Sequence, residues 1–272
     1  MTDFFTDPAF WTLILFLCPL VIKIPIAVAL GGASFVTAWY WGLGFPMVSY
    51  NFFAGIAKFQ LLAIPFFILA GVIMEKAGIA ERIITFIKEI VGDVTGGLAI
   101  ATVAVATFWG AVSGSGPATV AAIGLILIPG MVQGGYDKPF ATAVVSVSSG
   151  LAIVIPPSIA FIVYGDLAQV SVGALFAAGV IPGIVVALFI MGAVYLHSRK
   201  KGYRGEPRGD FRALWKAFRD ALWALFTPVV ILGGIYGGIF TPTESPAVAV
   251  FYGLSVGVFV YRTITVKVLY QI

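Results

Sequence analysis

From Leu175 to Leu196 the chain reads LFAAGVIPGIVVALFIMGAVYL without one charged side chain. A helix of that length rises about 33 Å, enough to cross the hydrocarbon of a bilayer, and a water-soluble surface has no place for it. The run is not isolated, since 60% of the chain is hydrophobic and only 10% is charged. In hydrocarbon every backbone amide must be paired within the protein, which leaves helices or a closed barrel. Barrel strands alternate in segments of about ten residues, whereas these runs are continuous. The expected fold class is therefore an all-α polytopic membrane protein. The first apolar segment follows Met1 and the acidic stretch TDFFTDPAFW with no basic residues ahead of it, so it reads as a retained helix and not a cleaved leader. Cys18 is the only cysteine and excludes an internal disulfide framework.

The formal net charge of +4 could point to nucleic acid, but half of the 16 basic residues lie between Arg199 and Arg219. That stretch, HSRKKGYRGEPRGDFRALWKAFR from His197, separates two apolar runs and obeys the positive-inside rule, which makes it cytoplasmic and excludes a nucleic-acid partner. Tracing back from this anchor places a span at 172–197 and a long interrupted segment at 139–170. Before it, Gly97 to Val132 forms two apolar arms separated by SGSGP, each about sixteen residues and ~24 Å long, too short to cross, so a re-entrant helical hairpin is expected. Residues 79–95 alternate Ile79, Ile83, Ile84, Phe86, Ile87 and Ile90 with Glu81, Arg82, Lys88, Glu89 and Asp93, the pattern of a helix lying along the interface. Further spans are expected near 9–22, 24–42, 61–76, 221–240 and 246–261. Trp39, Trp41, Trp215 and Trp223 fall near their edges, as interfacial aromatics do.

Threaded in this way, fifteen of the 16 basic residues lie on the cytoplasmic side, with Lys58 opposite among Asp3, Asp7, Asp166 and Glu244. KIPIAVALGGAS from Lys23 and ESPAVAVFYGLS from Glu244 both place a proline two residues after a charge and ahead of an Ala/Val run, and the threading gives them opposite orientations. That is the plan of an inverted repeat, the usual basis of secondary carriers. With the offset of 221 residues the chain ends at the equivalent of position 51, so the second repeat reads as truncated.

Two breaks carry the chemistry. In WGAVSGSGPATVAAIG, Gly114 and Gly116 permit a tight turn and Pro117 suits the first turn of the returning helix. Carbonyls freed near Ser113, with the hydroxyls of Ser113 and Ser115, suit a desolvated sodium ion, while the amides from Ser115 to Ala118, less the one missing at Pro117, suit an anion. In SVSSGLAIVIPPSIAFIVYG, Ser146, Ser148, Ser149 and Gly150 precede Pro156, Pro157 and Ser158. The prolines withdraw two amide donors, and an oxygen-rich gap is expected there. Neither break contains a carboxylate, so five or six neutral oxygens would serve sodium and no transition metal. A packing kink is the alternative at each. Thr241, Pro242 and Glu244 read as a capping box. No enzyme is expected, because the one histidine, His197, lies at the cytoplasmic end of a span beside Arg199, and no Cys, His or carboxylate cluster offers a metal site.

SGSGPATVAAIG, ILIPGMVQGGYDKPFATAV, IPPSIAFIVYG, SVGALFAAGVIPG and GGIFTPTESPAVAV, in this order, make the chain similar to the large membrane subunit of tripartite ATP-independent periplasmic (TRAP) transporters. The resemblance implies an elevator-type secondary carrier of the bacterial inner membrane, coupled to Na+, importing small organic anions and partnered by a small membrane subunit and a periplasmic substrate-binding protein. It divides the chain into scaffold helices at 1–78, an interfacial helix at 79–96, a transport-domain hairpin and unwound helix at 97–170, a transmembrane helix at 171–198, a basic cytoplasmic loop at 199–220 and the start of the second repeat at 221–272. It assigns Ser113, Gly114, Ser115, Ser148, Ser149 and Gly150 to sodium, and Gly116, Pro117, Ala118, Pro156, Pro157 and Ser158 to the substrate. The hairpin resembles that of sialic-acid members, with C4-dicarboxylates also open. The family's second hairpin and second unwound helix have no counterpart here, so a non-transporting fragment or assembly subunit is the alternative.

Overall fold

The computed structural model describes residues 7–205, 209–270 and 272. The sidedness expected for Asp3 and Arg208, and the parts of the 1–78, 199–220 and 221–272 segments at 1–6, 206–208 and 271, lie outside the described residues. Among those described there are helices and no strands. Two compact units divide at Lys58.

The first unit holds α1 (Pro8–Val21), α2 (Ile26–Tyr40) and α3 (Phe45–Ile56). The Asp7 carboxylate caps α1 by accepting from the Ala9 amide at 2.9 Å. Ala29, Ala33, Thr37 and Ala38 form the buried stripe of α2, small enough for α1 to approach closely, and Thr12 donates its hydroxyl to that of Thr37 at 2.9 Å. The helix α3 was not expected. Gly44, at φ +80°, turns the chain into it, and the continuous apolar character of 45–56 hides the boundary because periodicity has nothing to contrast with.

In the second unit come α4 (Ala63–Lys76), α5 (Ile79–Val91), α6 (Gly97–Ser113), α7 (Gly116–Gln133), α8 (Lys138–Ser149), α9 (Leu151–Val154), α10 (Ile159–Ala168), α11 (Val172–Lys201), α12 (Phe211–Tyr236), α13 (Ser245–Ser255), continued by a π-helical turn to Val260, and α14 (Val266–Leu269). The centre is α6, which touches α4, α5, α7, α8, α9, α11 and α12. Trp109 on α6, 1% exposed, packs with Val105, Val112, Ile123, Leu127, Ile79 and Ile83 in the largest core cluster. Between membrane helices such burial stabilises through close packing and not through transfer from water.

The strongly amphipathic α5 differs from the expected interfacial helix in where its apolar face goes. Ile79, Ile83 and Ile84 are buried in the protein core and α5 lies against α6 and α12, because a stripe of that width is satisfied equally well by neighbouring helices. Arg82 fixes its start, donating to the Gly78 carbonyl at 2.7 Å while its guanidinium lies 3.7 Å from the Tyr261 ring centroid. The Tyr261 hydroxyl in turn donates to the Asp220 carbonyl at 2.9 Å, tying α12 to the end of α13. The basic connection expected at 199–220 is shorter, since α11 runs to Lys201 and α12 begins at Phe211 behind its Asp210 cap. Arginine and lysine are good helix formers, so charge does not end a helix.

Among the described residues five helical segments are long and apolar enough to cross a membrane: Phe59–Lys76, Gly116–Gln133, Lys138–Ala168, Val172–Lys201 and Phe211–Tyr236; the second of these is the returning arm of the hairpin, longer than the sequence led one to expect, while the first arm, Gly97–Ser113, is shorter. The protein is an all-α polytopic membrane protein. Thr241 and Glu244 form a reciprocal capping box, the Thr241 amide donating to the Glu244 carboxylate at 2.8 Å and the Glu244 amide to the Thr241 hydroxyl at 3.3 Å. These bonds, the backbone one first, hold the Glu244 carboxyl below the usual carboxylate range. The cap therefore stabilises fully above the ordinary glutamate pKa and is lost as pH falls through the lowered value.

Candidate functional site

The turn between α6 and α7 needs only two residues. Gly114 ends α6 in the left-handed conformation, φ +63°, its amide bonded to the Gly110 carbonyl at 2.9 Å. Ser115 then takes an extended conformation and caps α7, its hydroxyl accepting from the Ala118 amide at 3.4 Å, with Pro117 in the first turn. Of the amides expected to face an anion, that of Ala118 is thus directed at the Ser115 side chain.

A residue outside the expected set organises the hydroxyls. Thr119 is fully buried and donates to the Ser115 carbonyl at 2.9 Å, which leaves its lone pairs to accept from Ser113, 2.9 Å away. Its spacing of four from Ser115 on one helix is the signal that would have found it. Ser113 is thereby held inside the tip.

The second break is narrower than the expected stretch from Ser148 to Ser158. Ser148 and Ser149 sit in the last turn of α8, and Gly150 keeps right-handed helical angles into α9. The helix opens only at Ile155 to Ser158, where the backbone is extended around the Pro156–Pro157 bond. The serines remain helical because the ring of a proline obstructs only the turn just before it. Pro156, Pro157 and Ser158 are buried, whereas Ser146 is exposed.

The structure brings the two breaks together. The Ile159 amide donates to the Gly114 carbonyl at 3.1 Å. A Cβ added at Gly114 would lie 2.8 Å from the Pro157 carbonyl oxygen, and one at Gly116 would lie 3.2 Å from that of Ser149. One turn back, a Cβ at Gly110 would meet the Cα of Ala152 at 2.8 Å. Glycines on one arm thus meet backbone on the other along the whole approach.

Most hydroxyls around this junction are engaged. Ser149 donates to the Val145 carbonyl at 2.8 Å, and Ser158 takes the freed Ile153 carbonyl at 2.7 Å. Ser148 differs, for its Oγ is buried with no hydrogen-bond partner. An orphaned buried hydroxyl costs about 1–3 kcal/mol. Among the described residues no group of three or more His, Cys, Asp or Glu side chains could hold a metal. The chemistry offered is that of neutral oxygens, which suits a hard monovalent cation.

The family described as "Tripartite ATP-independent periplasmic transporter, DctM component" matches residues 13–272. The chain is 46% identical over 248 residues to the isethionate TRAP transporter permease protein DctMQ of Oleidesulfovibrio alaskensis, covering 90% of this chain and 39% of that protein. It is 45% identical over 247 residues to the C4-dicarboxylate TRAP transporter large permease protein DctM of Vibrio cholerae, covering 89% and 54%. To the sialic acid TRAP transporter large permease protein SiaM of Vibrio cholerae it is 38% identical over 224 residues, covering 82% and 52%. The chain spans roughly half the length of these relatives, between 39% and 54%. With a family match over nearly all its residues and paired helix breaks at its core, this chain belongs to the DctM component family of tripartite ATP-independent periplasmic transporters.

Proposed function

We propose that the chain contributes half of the translocation site of a sodium-coupled secondary carrier that imports a small organic anion across the bacterial inner membrane. The observation that carries this reading is that two helix breaks touch each other, with the unpartnered Ser148 hydroxyl one residue before Ser149, whose carbonyl faces Gly116. Sodium is held by oxygens of Ser113, Gly114, Ser115, Ser148, Ser149 and Gly150, with Thr119 orienting Ser113. The substrate lies against Gly116, Pro117 and Ala118 at the positive end of α7, and against Pro156, Pro157 and Ser158. Delivery by a periplasmic binding protein, a small membrane subunit alongside, inverted repeats and an elevator movement of the hairpin complete the reading. Of the two substrate types raised by the sequence, higher identity to the isethionate and C4-dicarboxylate permeases than to the sialic acid permease favours a compact acid.

The test is substrate uptake by the intact complex in proteoliposomes. Uptake should vanish when sodium is replaced by potassium, and uptake that persists without sodium overturns the coupling. Within the same assay, Ser115→Leu should lower uptake at least tenfold, because the side chain must fit where Gly114 and Gly116 barely clear backbone. Thr241→Ala removes a cap worth about 1 kcal/mol and should leave uptake near normal. Equal effects of the two substitutions would count against placing the site at the hairpin tip.

A further inference from the structure

We propose that the basic end of α11 and the start of α8 bind the headgroup phosphate of an anionic phospholipid, with an acyl chain lying in a groove on α11. A cleft of about 460 Å³ is lined by Asp137, Lys138, Pro139, Phe140, His197 and Lys201. His197 stacks on Phe140 with ring centroids 4.4 Å apart and planes 16° from parallel. The face of the imidazole is thereby used for packing and its in-plane nitrogens remain for a polar ligand. Among the described residues Asp137 is the one acid lining the cleft, and it is already engaged. The Tyr203 hydroxyl donates to its carboxylate at 2.8 Å and Lys201 lies at 3.6 Å. Lys138 leaves the cleft net positive, and Arg199 and Lys200 follow on the same helix end. Basic pockets of this kind at the cytoplasmic boundary suit lipid phosphates.

The second observation sets the ligand's other half. Farther into the membrane, α11 carries an apolar groove of about 570 Å³ lined by Val185, Leu188, Phe189, Gly192, Ala193 and Leu196. Phe189 and Leu188 are 75% and 60% exposed, and a Cβ at Gly192 would meet nothing within 4 Å, so the groove floor is open. Phe189, Ala193, His197 and Lys201 recur every four residues, so one inclined ridge of α11 leads from this groove into the cleft. A cationic cleft and an apolar groove placed along one ridge of the same helix fit an amphiphile, and a soluble phosphate would use only the first of them. The inference rests on the membrane placement of α11 and not on sodium or substrate, so the uptake experiment and this one fail independently.

Native mass spectrometry of the intact transporter complex in detergent tests it, with dioleoyl phosphatidylglycerol, dioleoyl phosphatidylcholine and inorganic phosphate as probes. Phosphatidylglycerol should be retained and phosphatidylcholine should not, and millimolar phosphate should fail to displace the lipid. Lys138→Gln should weaken phosphatidylglycerol about fivefold, the contribution of one basic residue at a lipid surface, while Lys138→Arg should bind as the parent does. Gly192→Leu, which has room, should reduce retention of the dioleoyl lipid and leave dihexanoyl phosphatidylglycerol unaffected. Equal retention of the two headgroups, an inert Lys138→Gln, or full displacement by phosphate would each overturn the proposal. So would a Gly192→Leu variant that releases the small membrane subunit while lipid binding stays unchanged, since a protein helix would then fill the groove.

Discussion

Gly114→Ala is expected to lower the thermal midpoint of the detergent-solubilised protein by roughly 5–15 °C and to abolish uptake. Two costs add. An L side chain at φ +63° pays about 1–2 kcal/mol for left-handed geometry, and the new methyl would sit 2.8 Å from the Pro157 carbonyl oxygen, a backbone atom that cannot rotate away. Overpacking of that kind adds about 1–3 kcal/mol. Gly135 separates the two terms, because it also has a positive φ, +85°, yet a Cβ there would meet nothing within 4 Å. Gly135→Ala should therefore show only the conformational cost and keep its uptake. Gly114→Asn, which tolerates left-handed angles but still carries a Cβ, should fail as alanine does. If thermal scans place Gly114→Ala no lower than Gly135→Ala, the hairpin tip is not pressed against the Pro156–Pro157 break.

The second large effect concerns function without stability. Ser148→Ala should leave the thermal midpoint unchanged or slightly raised, because it deletes a buried hydroxyl that has no partner. The same change should raise the sodium concentration needed for half-maximal uptake by about 10- to 100-fold, the worth of one polar contact to a charged group. Ser149→Ala is the comparison. It removes an intrahelical bond to Val145, 2.8 Å long, and should shift the sodium dependence less. A fall in thermal midpoint for Ser148→Ala with an unaltered sodium curve would assign that hydroxyl to packing and remove the main support for the ion site.

Much of this was legible in the residues, for identifiable reasons. The arms of the hairpin and their two-residue turn could be read because glycine and proline at a helix break leave few conformations open at Gly114 to Pro117. The capping box at Thr241 and Glu244 was equally local. The second break, expected from Ser148 to Ser158, is narrower, at Ile155 to Ser158, since a serine-rich stretch reads as polar and loose while its hydroxyls in fact bond back within α8 or stay buried. Thr119 was passed over because its importance comes from facing Ser113 across the turn, a relation with no composition signal. The apolar face of α5 was assigned to the membrane surface for a related reason, as amphipathicity states that a stripe must be covered without stating by what.

What the sequence determined by itself is therefore everything that depends on the solvent and on neighbouring residues along the chain: an all-α membrane protein, its principal apolar spans, the tight turn at Gly114 and the family. What only the tertiary structure decided is which surfaces meet. Gly110, Gly114 and Gly116 lie against Ala152, Pro157 and Ser149, and Ser148, next to Ser149, is one of the buried hydroxyls without a partner among the described residues. Local rules cannot reach such a result, because close packing between helices depends on the shapes of both partners, and in a uniformly apolar sequence hydrophobicity does not distinguish one partner from another.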